Sequence, residues 1–141
     1  MEQELEVMNN DQLTSFASSY AQAWCSHKPD RVAAFFAETG SITVNDGQPA
    51  VGRAEIAEVA HGFMRDFPDM IVTFDKLEHR ADGVAFHWTL IGTNTGPGGT
   101  GKPVRISGYE LWSFDGDGLV CESRGRFDAA DYARQLRGSD K

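Results

Sequence analysis

The chain has 141 residues, of which 40% are hydrophobic and 24% charged, the size and composition of one globular domain that builds its own core. The 21 acidic residues outnumber the 13 basic ones and give a formal net charge of −8, which disfavours nucleic acid and anionic membrane surfaces as partners. Two cysteines are too few for a disulfide framework, and no segment has the pattern of a signal peptide or a membrane span. We therefore expect a soluble, cytoplasmic protein.

The first half of the chain has the apolar spacing of helices. Hydrophobic residues recur every three or four positions from Leu13 to Trp24, which predicts an amphipathic helix capped by Asn10 or Asp11. Proline suits the first position of a helix, so a second helix is expected to begin at Pro29. The elements expected in this half are that second helix, which buries Val32, Phe35 and Phe36 and ends at Gly40, a strand over residues 41–44 and a third helix over 53–66.

Beyond Pro68 the hydrophobic period changes from that of a helix to that of a strand. Four strands are expected, separated by a turn at Asp82 and Gly83, a long hairpin loop and the turn-forming sequence DGDG. Helices followed by sequential antiparallel strands predict an α+β fold, in which a curved antiparallel sheet packs on about three helices. The expected strands cover residues 70–80, 83–94, 103–114 and 118–127, the last helix covers 129–136, and the single domain covers 11–137, between flexible ends at 1–10 and 138–141.

The sequence does not meet the requirements of a phosphate-binding loop or of a metal site. The segment from Gly96 to Lys102 has the spacing of a phosphate-binding loop, but Pro103 replaces the hydroxyl residue that holds Mg²⁺, and a strand follows where a helix is needed. The four histidines and two cysteines have no metal-ligand spacing. We therefore expect no metal and no organic cofactor.

Several candidate site residues come from strand and helix geometry. Glu110 shares one face of its strand with Trp112, and an acid among aromatic rings is desolvated, which raises its pKa and suits general acid or base catalysis. The alternative is an exposed glutamate on a loosely apolar face. Tyr20 and Trp24 lie one helical turn apart, and they belong either to the core or, with the Tyr20 hydroxyl, to a cavity.

The last strand carries charged residues at alternate positions. Glu122, Arg124, Arg126 and Asp128 share one face of this strand because side chains alternate with a period of two. Such a row is typical of the solvated face of a sheet, and it also suits the lining of a polar cavity. The sequence leaves both interpretations open.

The C-terminal half also carries the motifs of a known family. The motifs are W-T-x-x-G-T-x-T-G from Trp88 to Gly96, T-G-K-P-V from Thr100 to Val104, S-G-x-E from Ser107 to Glu110 and, from Glu122 to Asp128, an E-x-W-x-x-x-D element with Arg124 in place of tryptophan. With these motifs the sequence resembles the polyketide cyclase (SnoaL-like) family of the nuclear transport factor 2-like superfamily. The resemblance covers nearly the whole chain from residue 13.

The resemblance implies a cone-shaped α+β fold, a homodimer formed through the sheet, and an intramolecular aldol ring closure without metal or cofactor. In the family's cyclases, the acid at the position of Asp128 is the general acid or base. The competing interpretation is that Asp128 only caps the last helix, which begins at Ala129. Asn94 stands where the family commonly has histidine, and Arg124 in place of tryptophan favours an anionic ligand. In steroid isomerases of the same fold, a tyrosine and a carboxylate base occupy positions near those of Tyr20 and Asp46.

These arguments together predict a small-molecule-binding protein, specifically a cofactor-independent cyclase or isomerase that acts on a carbonyl compound by proton transfer. The alternative is a non-catalytic ligand-binding or assembly domain of the same fold. The expected ligand is anionic or contains a carbonyl group, and the expected catalytic residues are Asp128 and Glu110. The residues expected to bind the substrate are Tyr20, Trp24, Asp46, Trp88, Asn94, Trp112, Arg124 and Arg126.

Overall fold

The computed structural model describes residues 8–138, which form an α+β domain of four helices and six strands. The helices are α1 (Asn10–Cys25), α2 (Pro29–Ala33), α3 (Arg53–Asp66) and α4 (Ala129–Arg137). The strands are β1 (Phe36–Val44), β2 (Ala50–Val51), β3 (Ile71–Arg80), β4 (Gly83–Thr93), β5 (Pro103–Phe114) and β6 (Val120–Phe127). The predicted α+β fold is confirmed, and α3, α4 and the strands from β3 to β6 begin and end within two residues of their expected bounds.

All six strands form one curved sheet in the order β2-β1-β6-β5-β4-β3. The strands from β3 to β6 each pair antiparallel with the next strand along the chain, as predicted. β1 lies parallel to β6, so the sheet is mixed rather than wholly antiparallel. Register shifts in the β1–β6, β3–β4 and β5–β6 pairs increase the local twist, which helps the sheet to bend around α1 and α3.

The segment after α2 differs from the prediction of a longer helix. α2 ends at Ala33, and the chain enters β1 at Phe36, whose side chain is completely buried. Gly40 lies inside this strand, where a Cβ atom would be 2.7 Å from the carbonyl oxygen of Val120. The glycine therefore permits the close approach of β1 and β6, and it does not end a helix. Short apolar runs such as this one fit a buried strand as well as a helix.

α1 is capped one residue before the predicted positions. Asn9 Oδ1 accepts a hydrogen bond from the backbone N–H of Gln12 at 2.8 Å, and Gln12 Oε1 accepts one from the backbone N–H of Asn9 at 2.9 Å. This reciprocal pair is a capping box, and Asn10 and Asp11 follow it as helical residues. Flexibility was expected for residues 1–10 and 138–141, of which 1–7 and 139–141 lie outside the described residues.

The core fills the space between the inner face of the sheet and the helices, with the rings of Tyr20 and Trp112 completely buried near its centre. Four apolar residues lie on the two faces of β5, where exposed apolar surface would support the homodimer that the family resemblance implies. These residues, Val104, Ile106, Leu111 and Trp112, are all at most 7% exposed within the single chain. They provide no argument for a homodimer, which stays a prediction.

Candidate functional site

A cavity of about 60 Å³ lies between the inner face of the sheet and the helices α1 and α3. Its lining is almost entirely apolar, and Glu110 is the only ionisable side chain among the lining residues. The aromatic side chains of the lining are those of Trp24, Phe63, Phe86, Trp88 and Phe127. The aliphatic ones are those of Ile42, Val44, Val59, Val72, Leu90 and Ile106.

The alternation of β5 directs Glu110 into this cavity. Glu110 follows the inward-facing Ile106 by four residues and pairs in register with Phe86 of β4 and Gly125 of β6. A Cβ atom at Gly125 would lie 3.8 Å from Cγ of Glu110. Because Gly125 has no side chain, the space beside the acid stays open. Glu110 is nevertheless only 7% exposed.

Three side chains donate hydrogen bonds to one oxygen of the Glu110 carboxyl group. The Tyr20 hydroxyl, Trp112 Nε1 and the Ser123 hydroxyl lie 2.9, 3.0 and 2.8 Å from Oε1. Among residues 8–138, the other oxygen, Oε2, has only the Tyr20 hydroxyl within reach, at 3.1 Å. A hydroxyl has one proton to donate, so Oε1 and Oε2 share it. Oε1 therefore has three donors, whereas Oε2 only shares one of them and has more capacity for a further hydrogen bond.

Burial raises the pKa of Glu110, and this effect outweighs the three hydrogen bonds, which lower it. No basic side chain of the described residues forms an ion pair with Glu110. Burial, reinforced by the charge of Glu110, also raises the pKa of Tyr20 well above its ordinary value, so Tyr20 stays a neutral donor. A carboxyl group whose pKa is moved towards neutrality suits general acid or base catalysis.

Trp88 forms the wall of the cavity on β4. It pairs in register with Gly108 of β5, and its indole ring lies across that glycine, where a Cβ atom would be 2.8 Å from Cζ2 of Trp88. The ring of Phe127 packs edge-on against the indole, with the ring centroids 6.0 Å apart. Nε1 of Trp88 is shielded from solvent and has no hydrogen-bond partner within residues 8–138. The indole of Trp88 is thus packed between Gly108 and Phe127, and its N–H is covered by this packing.

Five of the predicted site residues meet at this place. Trp24, Trp88 and Glu110 line the cavity, and Tyr20 and Trp112 hold Glu110 without lining the cavity themselves. The surroundings of Glu110 are desolvated, as expected, and not those of an exposed glutamate. The contributions of these five residues to catalysis or binding stay predictions.

Asp46, Arg124 and Arg126 lie on the opposite, outer face of the sheet. Ser123 and Gly125 of β6 are buried on the inner face, so strand alternation turns the two arginines outward. Arg126 Nη1 lies 2.8 Å from Asp46 Oδ1, and both side chains are exposed. These residues border an outer cleft of about 410 Å³ and do not reach the cavity. The structure therefore favours the solvated-face interpretation of the charges on β6.

Asp128 and Asn94 also lie away from the cavity, where each fixes a stretch of backbone. Asp128 is exposed and caps α4, since its Oδ1 accepts a hydrogen bond from the backbone N–H of Asp131 at 3.0 Å. Asn94 fastens the loop between β4 and β5. Its Nδ2 donates to the carbonyl of Asp66 at 3.2 Å, and its Oδ1 accepts from the backbone N–H of Thr100 at 2.8 Å. Neither side chain lines the cavity, and the catalytic role expected for Asp128 and the binding role expected for Asn94 stay predictions.

Sequence reasoning missed Ser123 and three aromatic residues of the lining. The position of Ser123 opposite β5 depends on the register of β5 and β6, which shifts at Ser113 and Phe114 and is invisible in the sequence. Phe63, Phe86 and Phe127 have the spacing of core residues, and periodicity alone does not separate a cavity wall from a packed core.

Within residues 8–138, no group of three or more histidine, cysteine, aspartate or glutamate side chains is arranged to hold a metal ion. No helix in this part of the chain is long and apolar enough to cross a membrane.

The family model of the SnoaL-like polyketide cyclase matches residues 14–136, which is most of the chain. The chain belongs to the SnoaL-like polyketide cyclase family. No sequence among the curated proteins matches it significantly. The match to the family model confirms the resemblance that the motifs around Trp88 and Glu110 indicate.

Solved structures show that this SnoaL-like chain has a ketosteroid isomerase-like fold. A protein of that fold from Catenulispora acidiphila, crystallised in complex with trimethylamine, is 18% identical with a TM-score of 0.74, over 86% of this chain and 92% of that one. A SnoaL-like protein from Jannaschia sp. CCS1 is 15% identical with a TM-score of 0.73, over 98% and 94% of the two chains. SalBIII, an epoxide hydrolase/cyclase-like enzyme of pyran ring formation in salinomycin, is 17% identical with a TM-score of 0.73, over 88% and 97%.

Proposed function

We propose that this SnoaL-like protein binds a small carbonyl compound in the cavity and transfers a proton on it through Glu110, as a cofactor-independent isomerase or cyclase. The observation that carries the proposal is one buried carboxyl group in an apolar cavity, held by three donors at Oε1 and approached at Oε2 by the Tyr20 hydroxyl, which the two oxygens share. Burial raises the pKa of Glu110, which brings its protonated and ionised forms closer to balance near neutral pH.

The proposed step begins when Oε2 of the ionised Glu110 removes a proton from the carbon next to the substrate's carbonyl group. The electron pair of that C–H bond becomes the double bond of an enolate, and the negative charge moves to the carbonyl oxygen. In an isomerisation the substrate is a β,γ-unsaturated ketone, so the enolate is conjugated with the neighbouring C=C bond. Glu110 then returns the proton to the γ-carbon, and the C=C bond moves next to the carbonyl group. In a ring closure, the enolate carbon attacks a second carbonyl carbon of the same molecule, and the oxygen of that group takes the proton. Either route balances without an oxidant, a reductant or a second reactant.

The size of the cavity limits the substrate. Since one water-sized group needs about 10–15 Å³ of such a volume, there is room for about four to six atoms of that size. The partly exposed side chains of Val59, Phe63 and Phe127 border the cavity, so a larger substrate would have to displace them. The structure therefore suits small ketones or one end of a longer molecule.

Asp128, the acid indicated by the family resemblance, has no part in this proposal. Its carboxyl group is exposed and caps α4, whereas Glu110 is enclosed by the cavity and the core. Desolvation, which favours proton transfer near neutral pH, acts on Glu110.

The test is deuterium exchange at the carbons next to the carbonyl group of cyclopentanone and acetone in D₂O, followed by proton NMR. The wild-type protein should accelerate the exchange over buffer. Glu110→Gln should lower that acceleration by about 10²–10⁴-fold, since it removes the acid or base but keeps the oxygen that Tyr20 binds. Glu122→Gln, the same change at an exposed position of β6, is the control and should exchange like the wild type. Exchange at the buffer rate in the wild type, or undiminished exchange in Glu110→Gln, would refute the proposal.

A second candidate function is non-catalytic binding of a small organic cation. Five aromatic rings and one carboxyl group around the cavity suit an alkylammonium ion, which is attracted to ring faces. The relative from Catenulispora acidiphila was crystallised with trimethylamine. Titration with trimethylammonium chloride, compared with tert-butanol of similar shape, tests this function. Binding of the cation alone, weakened in Glu110→Gln and without any ketone exchange, would favour it over proton transfer.

A further inference from the structure

Gly125 is a strand glycine that neither packing nor backbone conformation requires. A Cβ atom would come within 2.2–3.2 Å of neighbouring atoms at the other four glycines of the described strands, Gly40, Gly83, Gly92 and Gly108. At Gly125 the nearest atom would be 3.5 Å away, an ordinary contact, and the residue is not among the glycines with a positive φ. Glycine weakens a strand and often marks a place where a ligand or another backbone approaches closely. Since alanine fits at this position, a ligand is the better explanation.

The missing side chain leaves a gap in a row of residues across the inner face of the sheet. Gly125 pairs in register with Glu110 of β5 and with Val44 of β1, and Glu110 pairs with Phe86 of β4. All four residues line the cavity. A Cβ atom at Gly125 would lie 3.8 Å from Cγ of Glu110. A group of a ligand that occupies the gap would therefore touch the side chain of the acid.

We propose that the gap at Gly125 seats the substrate against Glu110 and sets the largest substrate that the acid reaches, a ketone the size of a five-membered ring. This inference rests on the proposed function and names the residue that determines its specificity. Acetone lies at the lower end of the room for about four to six water-sized groups, and cyclopentanone lies at the upper end. The methyl group added by Gly125→Ala would take the place of about one such group, so acetone would still fit and cyclopentanone would not.

The test measures the affinities of both ketones by titration in ¹⁵N-correlated NMR spectra. Gly125→Ala should bind cyclopentanone at least roughly ten-fold more weakly than the wild type, because one methyl group too many in an apolar pocket has an effect of that size. Its affinity for acetone should stay within about two-fold of the wild-type value, well below the effect of one methyl group in the way. Deuterium exchange in D₂O should follow the same order, with the exchange of cyclopentanone lost and that of acetone kept.

The melting temperature separates lost space from lost structure. Gly125→Ala should melt at the wild-type temperature or above it, because the new Cβ atom makes only ordinary contacts and alanine reduces the conformational freedom of the unfolded chain. Gly116→Ala is the matched control. Gly116 lies in the turn between β5 and β6, does not line the cavity and has no atom within 4 Å of a new Cβ. This variant should bind both ketones like the wild type.

A second substitution on the other side of the gap should restore the space. Val44 is the register partner of Gly125 on β1 and also lines the cavity. Val44→Ala removes two methyl groups beside the position that Gly125→Ala fills. The double variant should therefore recover most of the affinity for cyclopentanone that Gly125→Ala loses, which a distortion of β6 would not allow.

Failure of this inference is distinguishable from failure of the proposed function. The inference is wrong if the wild type binds neither ketone, if Gly125→Ala leaves the ratio of the two affinities unchanged, or if that variant does not fold. It is also wrong if Val44→Ala fails to restore the binding of cyclopentanone, and each of these results stands whether or not Glu110 catalyses exchange. If the affinities change as expected but the wild type does not accelerate deuterium exchange, the gap selects ligands by size and the proposed proton transfer is wrong.

Discussion

The two faces of β5 and β6 carry charged groups in opposite surroundings. On the inner face, Glu110 is buried, holds three hydrogen bonds at Oε1 and has no basic partner among the described residues. On the outer face, Arg126 meets Asp46 at 2.8 Å, but the two side chains remain 51% and 90% exposed. Water solvates Arg126 and Asp46 well whether or not they form a pair. Glu110 is buried, so water would not take the place of its hydrogen-bond donors. Burial, more than charge, decides what each group contributes to stability and chemistry.

The largest effect is expected from Glu110→Leu. Leucine fills much of the same volume but leaves the hydroxyls of Tyr20 and Ser123 and Nε1 of Trp112 without their acceptor. Each buried donor that loses its acceptor costs about 1–3 kcal/mol of stability. Removal of the buried acid offsets part of that cost. The free energy of unfolding should therefore fall by at least about 3 kcal/mol. Urea denaturation measures this loss.

Glu110→Gln is the matched control for that experiment. The glutamine oxygen can accept the same three hydrogen bonds, so the loss should stay below about 1.5 kcal/mol. Equal stabilities of Glu110→Leu and the wild type would show that the hydrogen-bond cluster contributes nothing, and the contrast between the two faces would be lost.

Gly108→Ala should be the next most damaging change, because Gly108 is where the indole of Trp88 lies against β5. A Cβ atom there would collide with the carbonyl oxygen of Arg126 and lie 2.8 Å from Cζ2 of Trp88. Overpacking of this kind costs about 1–3 kcal/mol, and the tryptophan fluorescence should change with it. Gly62→Ala, inside α3 with no atom within 4 Å of the new Cβ, should instead stabilise the protein by about 0.5–1 kcal/mol. If Gly108→Ala and Gly62→Ala destabilise the protein equally, the room available for the new Cβ atom does not decide the effect.

The pH dependence of stability should reveal the buried acid. The pKa of Glu110 is raised in the folded protein from an ordinary value of 4.5, so the folded state keeps a proton that the unfolded chain has lost. The free energy of unfolding should therefore fall as the pH rises from about 4.5 to the folded pKa, with a slope of up to about 1.4 kcal/mol per pH unit, and then level off.

Glu110→Gln lacks this titration. Its stability relative to the wild type should therefore improve steadily across the same pH range in urea denaturation. A difference that stays constant with pH, or one that changes in favour of the wild type, would mean that burial does not raise the pKa of Glu110.

The sequence was sufficient for the fold because the fold depends on repeated local patterns. The change of hydrophobic period at Pro68 and the turn at Asp82 and Gly83 mark α3, α4 and the strands from β3 to β6 within two residues. The apolar run around Phe36 fits a helix as well as a strand, because it is too short to show a period. The contact of β1 with β6, where Gly40 allows a close approach, makes it a strand.

The site was only partly predictable because it depends on how neighbouring strands pair and in which register. Parity within β5 was enough to place Glu110 beside Trp112. It did not show that the arginines of β6 point away from Glu110, because that follows from the pairing of Glu110 with Gly125 and the register shift at Phe114. Asp128 is the instructive case: its position at the end of a strand matched the family's acid, but the local hydrogen bond made it a helix cap.

Asp128→Ala tests that cap and should have a moderate effect. Loss of the hydrogen bond to the N–H of Asp131 should cost about 1 kcal/mol of stability, and Asp128→Asn, which can cap as well, should cost little. Both variants should exchange cyclopentanone like the wild type, because the residue does not line the cavity. If Asp128→Asn keeps its full stability but loses exchange activity, the role implied by the family resemblance is restored and the assignment to Glu110 fails.

The smallest effect is expected from Asp46→Ala, which breaks the outer pair with Arg126. Exposed ion pairs contribute about 0–1 kcal/mol, because water solvates the separated groups and holding two mobile side chains together costs entropy. The loss should shrink further at about 1 M salt, where screening acts over about 3 Å. Glu110→Leu, measured beside it, should lose as much stability at high salt as at low salt, since its hydrogen bonds are buried. A loss above about 1 kcal/mol in Asp46→Ala that does not depend on salt would mean that the exposed ion pair stabilises the protein as a buried group does. The two faces of the sheet would then not differ in the way argued here.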